Sequence, residues 1–192
     1  MKAIKTREEW LNTILHKNIA PLLKRHGAIV PKDCKVSVGF PGGGSARKRI
    51  GEAWPRMRSS IKVNEIFLNP SVKDAKRLVD VLIHEAIHAS DDCASGHRGH
   101  FMRVAKSVGF TGKMTATVAG PELAKWIDVQ IAAMPKFEYG SLNLDGRKKQ
   151  TTRMVKHECQ PCGAVWRAAA KWGDSECCPF CSSAMYSDPE EG

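Results

Sequence analysis

The sequence predicts an α+β protein in two parts, a main domain followed by a small cysteine-rich module. Two observations carry this. A helix with apolar spacing is followed by three short strand-like runs and then by further helices, so the two element types are segregated along the chain. Two Cys-X-X-Cys pairs then lie close together near the end. With 192 residues, 42% of them apolar, the chain can hold one ordinary core and one small accessory module.

The elements follow in order. Over residues 7–26, Trp10, Ile14, Leu15, Ile19, Leu22 and Leu23 recur at helical spacing, with Pro21 interrupting and Gly27 as a stop. KVSVGF (35–40) alternates with period two and reads as a strand. A Gly-rich loop and the basic run Arg47-Lys48-Arg49 lead to two more strand-like runs, 50–54 and 61–68. Three consecutive strands with short links predict a three-stranded antiparallel meander. The best helix spans 71–89, where Ala75, Leu78, Val79, Leu82, Ile83, Ala86 and Ile87 form one apolar stripe. Further helices are expected over 97–108, ended by Gly109, and over 121–134. Residues 135–151 hold a proline, two glycines and the triplet Arg147-Lys148-Lys149. The predicted division is therefore a main domain over 1–135, a linker over 136–151 and a module over 152–192.

The net charge of +10 is uneven. Residues 1–62 carry all of it, and the remainder is neutral. A basic first third points to a polyanionic partner, nucleic acid above all. No run of 18 apolar residues is present, which excludes a membrane-spanning helix. The N-terminus has acids at Glu8 and Glu9 and lacks the pattern of a secretory signal. A reducing, cytoplasmic setting is the expectation, so the seven cysteines read as thiols or metal ligands. GGGSARKR lacks the spacing of a phosphate-binding loop, and there is no GxSxG nucleophile turn.

The first chemical motif is HEAIH (84–88). His84 and His88 stand one helical turn apart, so both imidazoles leave the same face and can grip one metal ion, zinc by preference. In this pattern Glu85 is not a ligand but a general base that activates water. A catalytic site needs a third protein ligand, and GHRGHF (96–101) offers His97 and His100. The residues alone do not choose between them. Asp91 and Asp92 are expected to terminate and solvate the helix end.

The second motif is CQPC…CPFC, in which Cys159, Cys162, Cys178 and Cys181 have the spacing of a closed, structural zinc site. Cys177 competes with Cys178 in register, and the CPFC knuckle favours Cys178. So small a module has little core, and metal binding supplies the missing free energy. Trp166, Arg167 and Lys171 could form a stacking and charge platform for single-stranded nucleic acid, although the module is near neutral overall.

HEAIHA and GHRGHF, preceded by VSVGF, RIGEAW and NEIFLNP and followed by MTATVAG and the cysteine pairs, resemble in order the SprT-like (Spartan-related) zinc metalloproteases. The details resemble most the small phage and prophage members with a C-terminal zinc ribbon. The resemblance covers nearly the whole chain. It implies a zincin-like SprT domain with His84, His88 and His97 on a catalytic zinc, Glu85 as base, and a ribbon zinc on the four cysteines. It also implies proteolysis of DNA-bound or DNA-crosslinked proteins, in DNA–protein crosslink repair. Single-stranded or junction-containing DNA would be the recruiting partner, and the enzyme a cytoplasmic monomer, nucleoid-associated or in a phage-infected bacterial cell, with no membrane role. Arg47, Lys48, Arg49, Arg147, Lys148, Lys149, Trp166, Arg167 and Lys171 are the expected DNA contacts. The rival readings are a non-enzymatic zinc-containing DNA-binding adaptor, and a metallohydrolase without a nucleic-acid role.

Overall fold

The computed structural model of the chain describes residues 6–42, 49–145, 154–169 and 177–183. The chain divides into two compact units after Leu144.

The first unit opens with one continuous helical stretch: α1 (Arg7–Ile14), a π-helical turn (Leu15–Ile19) and α2 (Ala20–Arg25). Thr6 and Glu9 form a reciprocal capping box at its start. The interruption expected at Pro21 is a widened turn just before it, which makes room for a ring that would otherwise clash with an upstream carbonyl. Trp10, Leu11, Ile14, Leu15, Ile19 and Leu23 are fully buried.

The strands are β1 (Lys35–Val38), β2 (Gly51–Trp54) and β3 (Glu65–Leu68). The antiparallel meander is not what forms. The order is β1-β3-β2, with β3 parallel to β1 and antiparallel to β2. Alternation reveals which side chains face the core but not which strand lies beside which. The long connection after β1 carries the chain past the central position, and β3, whose Ile66 and Leu68 are fully buried, takes it. As a result β2, half-buried throughout, is an edge strand.

Helix α3 (Ala75–Ala89) is the axis of the unit, capped by Asp74, which accepts from the backbone N–H groups of Lys76 and Arg77. It packs on β2 and β3, and on α4 (Gly99–Val108) and α5 (Pro121–Ala132). A hairpin absent from the sequence expectation, β4 (Phe110–Lys113) with β5 (Ala116–Ala119), stands between α4 and α5.

Part of the expected 136–151 linker belongs to this unit. The Trp10 indole donates to the Pro135 carbonyl at 2.9 Å, and Phe137 packs edge-on to Trp10. The buried Arg7 guanidinium donates to the carbonyls of Pro70, Val72 and Gly140. Aromatic packing and a buried cation with carbonyl partners fasten this strap, so the boundary falls later than its Pro and Gly content indicates.

The second unit is the hairpin β6 (Met154–Glu158) and β7 (Val165–Ala169) followed by the second cysteine pair. Among the described residues, no helix is long and apolar enough to cross a membrane.

Candidate metal centres

In α3 the apolar stripe faces the core, which turns His84, Glu85 and His88 toward a cleft of about 500 Å³. Edge strand β2 forms one wall and the β4–β5 hairpin the other. His97 arrives from the turn after α3. The Nε2 atoms of His84 and His88 each lie 3.3 Å from Nε2 of His97. A tetrahedral ion with metal–nitrogen bonds near 2.05 Å has ligand–ligand edges of about 3.3 Å, so the donor spacing fits zinc. Burial also favours the neutral rings that ligation requires. Burial, reinforced by the neighbouring histidines, lowers the pKa of His84 to about 3 and that of His88 to about 4. Burial lowers that of His97 as well.

The turn that delivers His97 is strongly constrained. Asp92 and Cys93 are consecutive non-glycine residues with φ of 55° and 63°, a conformation that costs energy and needs outside support. That support is visible. Asp92 Oδ1 accepts from the Arg56 backbone N–H at 2.7 Å and from Asn64 Nδ2 at 2.8 Å. Asp91 accepts from the Ser95 N–H, and the Cys93 N–H donates to the His88 carbonyl. The two aspartates therefore do more than solvate a helix end. His100 turns away, with Nε2 on the Ser90 hydroxyl and Nδ1 on Arg103. That settles the choice the residues left open in favour of His97.

Two side chains beneath the cluster were not anticipated. Phe101, fully buried, stacks on His88 at 4.3 Å and lies edge-on to His84 at 4.7 Å. The Thr117 hydroxyl on β5 lies 2.8 Å from Nδ1 of His84. Both sit in stretches already notable in the sequence, GHRGHF and MTATVAG, but neither type signals a metal site by itself.

Glu85 is buried against β2, where its carboxyl group faces the Ala53 backbone N–H. Burial raises its pKa to about 8, with the Ala53 N–H opposing. Gly51 makes the contact possible, because a Cβ there would meet Val81 Cγ1 at 2.5 Å and Glu85 Oε1 at 2.8 Å. A carboxyl group of raised proton affinity beside three converging imidazoles can exchange a proton with a molecule held in the cleft.

The second centre is built locally. In each knuckle the first cysteine's carbonyl accepts from the residue after the second cysteine (Gly163 and Ser182), and its N–H donates to the carbonyl one further on (Ala164 and Ser183). The two knuckles are thus copies in register. Cys159, Cys162, Cys178 and Cys181 converge, with Sγ–Sγ distances of 3.6 and 3.8 Å. Zinc–sulfur bonds near 2.3 Å give tetrahedral edges of about 3.8 Å. Without a metal the thiols are unlike: hydrogen bonds from Ser183 lower the Cys181 pKa to about 6, while that of Cys159 is raised to about 12 and that of Cys162 is raised as well. Cys178, not Cys177, is the member of the cluster.

The expected DNA contacts divide. Arg47, Lys48, Arg147, Lys148, Lys149 and Lys171 lie outside the described residues. Arg49 sits at the lip of the cleft, pairing with Glu52 at 2.5 Å. Arg167 is exposed on β7. Trp166 is half-buried and stacked on His157, 5.6 Å between ring centres, with Phe180 beyond it at 6.2 Å. It is part of a small aromatic group, not a free-standing platform.

The chain therefore carries a three-histidine and a four-cysteine cluster, each with a geometry compatible with zinc. Compared with protein-family models, curated proteins and solved structures, it matches none.

Proposed function

We propose that the protein is a zinc-dependent endopeptidase of SprT type that cleaves proteins bound or crosslinked to DNA. The observation that carries this reading is the convergence of three Nε2 atoms in an open cleft with Glu85 beside them. Three nitrogens leave one tetrahedral position for water or substrate, whereas four cysteines leave none. His100, the fourth ligand a purely structural centre would recruit, is bonded to Ser90 and Arg103 instead.

Zinc, when bound, supplies the Lewis acidity that makes water nucleophilic near neutral pH and polarises a carbonyl. His84, His88 and His97 would hold it. Glu85 takes the proton from the attacking water and returns it to the departing amine. Strand β2 suits an extended peptide. Ile50 accepts from Asn69 on the β3 side, so by antiparallel alternation Gly51 and Ala53 turn their backbone groups toward the cleft. Strand addition along the part of that edge left open beside Glu85 would lay an extended peptide in the cleft. The basic first third of the chain, with the exposed Arg167 in the second unit, supports a nucleic-acid partner.

The test is cleavage of a DNA-binding protein by zinc-loaded chain, with and without single-stranded DNA. Wild type should cleave, faster with DNA. Glu85→Gln should keep its zinc and lose roughly 10²- to 10⁴-fold in rate. Unimpaired cleavage by that variant would overturn the mechanism. Cleavage indifferent to DNA and to salt would overturn the DNA part alone.

A further inference from the structure

We propose that Thr117 is a positioning residue of the three-histidine centre, its hydroxyl accepting the Nδ1 proton of His84 and so holding that ring in place when Nε2 ligates. This assignment rests on the metal-binding reading of the cluster.

A neutral imidazole carries one proton on one of two nitrogens, and only the bare nitrogen can bind a metal. All three rings present Nε2 to the common centre. His84 must therefore hold its proton on Nδ1, and Nδ1 is the atom that meets Thr117 Oγ1 at 2.8 Å. With the proton on Nε2 instead, the hydroxyl would donate to Nδ1 and the ring could not ligate. The hydroxyl accepts in one tautomer and donates in the other, so the bond alone does not force the choice. The centre does so once it is occupied, and Thr117 then stabilises the ring in place.

The placement of Thr117 is not incidental. Its hairpin is largely exposed, with Val118 51% accessible, yet Thr117 is only 5% accessible. The strand faces α3 at two points in step. The Ala119 backbone N–H faces the Asp80 carboxylate and lowers its pKa, against the larger effect of burial, and His84 meets Thr117. Four residues along a helix rise about 6 Å, and two residues along a strand about 6.6 Å. Positions 80 and 84 of α3 therefore match positions 119 and 117 of β5, which runs antiparallel to the helix. That match lets a strand hydroxyl reach the far nitrogen of His84 without strain. For His88 the stacked Phe101 ring holds the plane instead.

The experiment uses the full chain, in which the four-cysteine centre is an internal control. Zinc dissociation constants for both centres are measured by chelator competition for wild type, Thr117→Val and Thr117→Ser. Valine keeps the volume and removes the acceptor, whereas serine keeps the acceptor. The expected result is about 10- to 100-fold weaker zinc binding at the histidine centre in Thr117→Val. Thr117→Ser should stay near wild type, with the cysteine centre unchanged in both. Equal affinity in Thr117→Val and wild type, or equal loss in valine and serine variants, would overturn the assignment. A second measurement needs no variant. In zinc-loaded wild type, nitrogen-resolved NMR should show a protected Nδ1 proton on His84, and its absence would also overturn the assignment. Wild type that takes up zinc only at the cysteines would overturn it together with the metal reading. Normal zinc uptake with Thr117→Val unaffected would leave that reading standing.

Discussion

The two candidate metal centres are built on opposite plans. The four-cysteine centre draws its ligands from two short knuckles, each closed by its own backbone hydrogen bonds. The three-histidine centre draws two ligands from α3 and one from a turn anchored on Arg56 and Asn64, and it leans on Phe101 and Thr117 from later elements. A closed sulfur sphere has ligands and little else, so a bound metal would be the core of its unit. An open nitrogen site on the face of a well-packed helix can lose its metal and keep its scaffold. The difference teaches which centre carries folding and which is free to carry chemistry.

The largest expected effect tests that division directly. Structural zinc in such modules contributes about 10–16 kcal/mol at neutral pH. Cys178→Ser should therefore abolish zinc at the second unit and unfold it, read as loss of dispersed NMR signals from residues 154–169. His97→Ala should lose zinc as completely but leave the first unit folded, because the apolar face of α3 is untouched. Equal unfolding in both variants would break the comparison.

A smaller effect concerns acid. In the metal-free chain, the folded-state pKa values of His84 and His88 lie below the ordinary 6.5, at about 3 and about 4. The unfolded state thus binds more protons over that window. Stability fully present above pH 6.5 should be lost as the pH falls toward about 3. Glu85 works the other way. Its folded pKa is raised from 4.5 to about 8, so its contribution is present below pH 4.5 and fades as the pH rises through 8. Glu85→Gln removes the opposing group. Metal-free Glu85→Gln should therefore be more stable than metal-free wild type at pH 8 and show the steeper loss between pH 6.5 and 4.5. Urea melts across that range would reveal it. A variant profile identical to that of wild type would mean that the Glu85 pKa is not raised, and stability that stays flat between pH 6.5 and 4.5 in both would mean that the histidines are not buried as neutral rings.

The smallest effect lies within the cysteine centre. The knuckles match except that Gly163 occupies the left-handed position of the first and Ser182, at φ 58°, that of the second. Ser182→Gly should relieve about 1 kcal/mol of backbone strain, with some returned as extra freedom of the unfolded chain. Zinc binding at the second unit should tighten by a few-fold at most. Weaker binding would show that the Ser182 side chain contributes something the backbone geometry does not reveal.

Much of both centres was legible in the sequence, for a common reason. Ligand pairs at i, i+4 on a helix and Cys-X-X-Cys in a knuckle are local geometry, set by a few backbone angles between neighbours. The helices were legible for the same reason, since apolar spacing along α3 and α4 is local too. What failed was long-range. Strand pairing placed β3 between β1 and β2, although its alternation would fit any neighbour. The 135–142 strap looked like a linker by composition and is held by Trp10 and Arg7, more than a hundred residues away in sequence. Asp92 looked like solvation and is an anchor, because its partners lie across the fold.

The sequence by itself determined which atoms could bind a metal: two imidazoles one turn apart, a carboxylate beside them, and two cysteine knuckles. Only the tertiary structure decided between His97 and His100, placed Thr117 behind His84 and set Glu85 against Gly51 on an open edge strand. The physical reason is that ligand identity depends on side-chain chemistry, which each residue carries with it. Ligand orientation depends on contacts between segments distant in sequence, which exist only after the core has packed.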